Sequence, residues 1–87
     1  MTAHEDRIRD VRLAIVALDT AIAVLDAAEP LVKEAYVAVR HVSGTGHNSP
    51  LTDARDLAEM AGADAHSAFV QMEHVQRTLI DYLGRIL

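Results

Sequence analysis

The chain has 87 residues, of which 51% are apolar but only 3% aromatic, and 15 are alanine. That length supports one domain. The apolar share excludes a disordered chain, and the scarcity of aromatics argues against an all-β domain. No cysteine means no disulfide framework, no thiolate metal site and no Cys nucleophile. The 8 basic against 13 acidic residues give a net charge of −5, the wrong sign for a nucleic-acid-binding surface.

The N-terminal residues Met1 to Arg7 carry mixed charge and lead into no apolar stretch with a cleavage site, so no cleavable signal peptide is expected. The first predicted element is a helix over residues 3–42. Thr2 with Glu5 three residues on matches a capping box, and Gly44 suits the residue that ends a helix in a positive-φ conformation. Arg7, Arg9 and Arg12 alternate with Glu5, Asp6 and Asp10, the pattern of a solvated, salt-bridged helix face. The most apolar stretch, Leu13 to Val32, is interrupted by Asp19, Asp26 and Glu29. A bilayer span needs about 20 nearly uncharged residues, so no membrane span is expected and the cytoplasm is the default location. Secretion by a signal-less route that reads folded helical pairs would leave no N-terminal mark.

This helix keeps a heptad register, abcdefg. Its a and d positions are Ile8, Val11, Ile15, Leu18, Ile22, Leu25, Glu29, Val32, Tyr36 and Val39. Glu29 is the one polar intruder, and it precedes Pro30, whose missing N–H usually kinks a helix. The g positions Ala14, Ala21, Ala28 and Ala35 are all small, and the c positions Ala17, Val24, Leu31 and Ala38 are apolar. The e positions Arg12, Asp19, Asp26, Lys33 and Arg40 are all charged. A two-helix contact needs only the a/d seam. Half a circumference of apolar surface therefore calls for more than one neighbour.

Residues 43–49 form the predicted loop, the only stretch rich in turn residues. His47 and Asn48 are candidates for a recognition tip; the alternative is that Asn48 and Ser49 cap the next helix while His47 is solvated. The spacing Gly44-x-Gly46 follows a helix and lacks the lysine of a phosphate loop.

The second predicted helix covers residues 50–86, with Ser49 as cap and Pro50 in its first turn. Following the apolar residues gives a seam of Ala54, Leu57, Ala61, Ala65, Ala68, Met72, Val75, Leu79, Tyr82 and Ile86, with a four-residue stutter at 57–61–65. Ala58, Gly62, Phe69, Ile80, Leu83 and Leu87 flank it.

These elements make an all-α fold, an antiparallel two-helix hairpin in which the numbers of facing residues sum to about 93. Small residues near the loop permit close approach, while bulky ones gather at the open end. A hairpin this small struggles to build a core alone, and pairing two of them into a four-helix bundle covers the remaining apolar arc. The expected interface is Ile8, Val11, Ile15, Leu18 and Ile22 with Val75, Leu79, Leu83 and Ile86. The expected partner is a second copy, giving a homodimer, or a similar helical hairpin; a larger protein partner is also expected, and nucleic acid is not.

Helical metal sites want ligands three or four residues apart, and none of the five histidines has such a neighbour. His66 and His74 are eight apart, so a metal site would need histidines from two chains across a dimer. Ser43, Ser49 and Ser67 have no His–Asp arrangement beside them, and Tyr36 and Tyr82 fit packing roles. No catalytic residue, cofactor site or metal site is expected within one chain.

Two helices of about 40 residues around Ser43-Gly44-Thr45-Gly46-His47, with an Ala-rich second helix ending Tyr82-Leu83-Gly84-Arg85-Ile86-Leu87, resemble the small actinobacterial helical hairpins of type VII secretion and polymorphic-toxin systems. The seven Arg to one Lys have the flavour of a high-GC genome. The secreted members carry Trp-x-Gly in the loop and Tyr followed four residues later by an acid. This chain has no Trp, and Tyr82 is followed at that spacing by Ile86. The resemblance therefore implies a non-catalytic adaptor or chaperone for a larger partner rather than an exported protein.

Overall fold

The computed structural model describes residues 2–44 and 49–87. Two helices, α1 (Ala3–Ser43) and α2 (Ser49–Ile86), lie antiparallel as a hairpin 64 Å long and 17 Å across. There is no strand among the described residues. His47 and Asn48 lie outside the described residues.

Local chemistry sets the ends of α1. Thr2 is extended (φ −83°, ψ 161°), and its Oγ1 accepts the Glu5 N–H at 3.1 Å, satisfying one of the donors a helix start leaves open. Glu5 and Asp6 in the first turn and Arg40 and His41 in the last complement the helix dipole. Gly44 stops the helix at φ 50°, ψ −139°, while its N–H bonds the Arg40 carbonyl at 2.9 Å. A side chain there is unfavourable for conformation rather than space, since a Cβ would meet only the His41 carbonyl at 3.8 Å. α1 continues through Pro30 as one helix, although the missing N–H costs the Asp26 carbonyl its usual partner.

Antiparallel pairing follows the expected register. Glu29 meets His66, Ile15 meets Gln76, and Val32 meets the position of Gly62. Every a and d residue of α1 from Ile8 to Val39 is half-buried, as are Ala14, Ala21 and Ala28 beside them.

The seam of α2 differs from the one apolarity suggests. Leu57 is 65% exposed and Val75 44%, and Ala54 and Ala61 are exposed too. The half-buried residues that face α1 are Leu51, Arg55, Ala58, Gly62, Ala65, Phe69, Met72, Gln76, Leu79, Leu83 and Ile86. Their steps alternate four and three throughout, an unbroken heptad with no stutter. Only Ala65, Met72, Leu79 and Ile86 belong to both the expected seam and the observed one. Gln76 tolerates the seam because its Nε2 donates to the Ile15 carbonyl at 3.3 Å and to Asp19 Oδ1.

Among the described residues none is buried. Each helix shields one stripe of the other, and nothing covers the rest.

Candidate functional site

At the middle of the seam, small residues of α2 stand opposite large ones of α1. Glu29, Val32 and Tyr36 of α1 and Ala58, Gly62 and Ala65 of α2 share one open groove of about 490 Å³, edged by Pro30, Lys33, Glu59 and His66. Its floor is apolar because the α2 residues there are Ala or Gly, and its rim is charged. On that rim His66 Nδ1 lies 2.6 Å from Glu29 Oε1, a hydrogen bond whose donor depends on the imidazole tautomer. The pair ties α1 to α2, and the exposure of both side chains keeps its contribution to stability small. Gln76 with Asp19 makes the second polar tie between the helices.

The hairpin has two unlike sides. In an antiparallel pair the g rows of both helices fall on one side of the seam and the e rows on the other. The g side carries Ala14, Ala21, Ala28 and Ala35 from α1 and Ala54, Ala61, Ala68, Val75 and Tyr82 from α2. Behind them on α1 lies the c row of Ala17, Val24, Leu31 and Ala38, all exposed. The e side carries Arg12, Asp19, Asp26, Lys33 and Arg40 from α1 and Thr52, Glu59, His66, Glu73, Ile80 and Leu87 from α2. The groove beside Pro30 opens on this charged side.

Eight of the nine residues expected at an interface, Ile8, Val11, Ile15, Leu18, Ile22, Leu79, Leu83 and Ile86, are half-buried in the seam between α1 and α2. Val75 instead lies on the g side. A second apolar patch marks the open end on the e side, where Ile8, Leu13, Val16 and Leu87 line a groove with Glu5, Arg9 and Arg12. Arg9 there pairs with Asp6 at 3.6 Å and Asp10 at 3.4 Å, as the alternation of signs implies.

Glu29 and Gln76 are the residues whose partners sequence reasoning missed. The hairpin register contained the signal, since His66 falls beside the level of Glu29 and Gln76 falls between the levels of Ile15 and Asp19. Among the described residues no group of three or more His, Asp or Glu side chains could hold a metal ion, and no helix is long and apolar enough to cross a membrane. No family model, curated protein or solved structure matches this chain.

Proposed function

We propose that this chain is a non-catalytic protein–protein interaction module that self-associates, two hairpins forming a four-helix bundle that serves as a cytoplasmic adaptor or chaperone for a larger protein. A secretion or toxin system is the setting its resemblance to actinobacterial hairpins implies. One observation carries the reading: the described chain buries none of its residues. Its accessible surface is 6459 Å², whereas a compact monomer of this mass exposes about 5,000 Å². The excess of about 1,400 Å² per chain, or about 2,800 Å² for two, falls in the range that obligate homodimers bury.

Sedimentation velocity of the purified chain at micromolar concentration tests this. A species of twice the chain mass is expected; a stable, folded monomer overturns it.

A second reading, a metal- or ligand-binding bundle using histidines across the dimer, has the exposed Glu29–His66 pair behind it. Two ligands at one groove would need others from the second copy. Zinc titration of the wild type and of His66→Ala separates the readings, because only the second predicts binding that the substitution abolishes.

A further inference from the structure

Exposed apolar residues lie on both sides of the rod, but the charges flanking the seam do not, and their distribution identifies the side that a second copy covers. We propose that a second copy of this chain seats on the g side, over Ala21, Val24, Ala28, Leu31 and Ala68, with a two-fold axis crossing the middle of the rod. The charged side, with its groove at Pro30, then faces outward for the larger partner. This rests on the self-association proposed above and adds its location.

A two-fold axis sets the middle of the rod against the middle of its copy. On the e side that middle carries Asp19, Asp26 and Glu73, with His66 bonded to Glu29. Self-pairing there would place three carboxylates of one chain against the same three of the other, and such like-charge juxtaposition opposes association. On the g side the corresponding level holds Ala21, Ala28 and Ala68 along the seam, with Val24 and Gln71 behind them and Asp64 the nearest charge. Small side chains there also let helix axes approach closely, toward the short end of the 8–10 Å packing range. Val24 and Leu31, 63% and 65% exposed, are the large apolar residues that this contact would cover. The open-end patch around Leu13 and Val16 is the competing surface. Val37, Val70 and Ile80 extend that side along the rod, but the charged row of Arg12, Asp19, Asp26 and Lys33 runs through it, so covering it would desolvate those charges.

The test compares two double variants with equal added charge and similar starting exposure. Val24→Glu with Leu31→Glu should weaken the dimer at least about 100-fold, the scale set by burying unpaired carboxylates, and sediment as a monomer. Leu13→Glu with Val16→Glu, both residues 61% exposed, should remain dimeric. If instead the Leu13/Val16 variant dissociates while the Val24/Leu31 variant does not, or if neither dissociates, the g-side assignment is overturned although self-association stands. A monomeric wild type overturns both.

Should the Val24/Leu31 variant lose its helical circular dichroism, two single-cysteine variants decide. The chain has no cysteine of its own, and Ala23 and Val24 are adjacent, exposed and on opposite sides of the hairpin. Val24→Cys should cross-link two chains with a short bis-maleimide and Ala23→Cys should not; the reverse result rejects the proposed side.

Discussion

Gly62 measures how closely the helices meet and which register they keep. It lies in the seam of α2, where a Cβ would sit 3.7 Å from Val32 Cγ1, an ordinary van der Waals distance. Gly62→Ala therefore gains helix propensity of about 1 kcal/mol, partly by narrowing the unfolded ensemble, with no clash to subtract. For a chain of this length that corresponds to a rise in Tm of about 4–8 °C. Gly62→Leu should gain less than Gly62→Ala, because its first atoms meet Val32 and the rest must be held in the open groove beside it. Gly84 is the control: nothing lies within 4 Å of its Cβ position, so Gly84→Ala reports propensity alone near a helix end. The assay is thermal unfolding followed by circular dichroism at 222 nm at one fixed chain concentration. A Tm that falls for Gly62→Ala would refute this packing.

Gln76→Ala removes a polar tie and leaves a gap in the seam; urea titration should show a loss of about 1–2 kcal/mol, and an unchanged midpoint would place Gln76 outside the seam. Gly44→Ala forces a side chain into φ 50° and should cost about 1 kcal/mol or more in the same titration, the opposite sign to Gly62→Ala. Thr2→Ala loses the bond to the Glu5 N–H and should cost about 1 kcal/mol, with faster amide exchange confined to the first turn of α1.

The two helices and their antiparallel pairing were legible because the signals were local and repeated. Thr2 and Gly44 mark the ends of α1, and its ten a and d residues keep period without exception. The second helix was harder, since alanines appear on several of its faces and periodicity carries little contrast between Ala54, Ala58, Ala61 and Ala65. The expected seam takes Leu57, Ala61, Ala68 and Val75, whereas the observed one runs through their neighbours Ala58, Gly62, Phe69 and Gln76. What decides these positions is tertiary: Gly62 fits because Val32 faces it, and Gln76 is accepted because Ile15 and Asp19 offer acceptors. The Glu29–His66 pair escaped notice because its members are 37 residues apart and meet only once the hairpin register is applied. Glu29, read as an intruder beside Pro30, has its partner on the other helix.

If association completes the fold, stability must depend on chain concentration. The most direct measurement is Tm at several concentrations spanning two orders of magnitude, with mass followed in parallel by light scattering. With an unfolding enthalpy typical of two such chains, Tm should rise by about 4 °C per tenfold increase, and the folded species should have twice the chain mass throughout. A Tm independent of concentration, in a species of one chain's mass, would contradict the account.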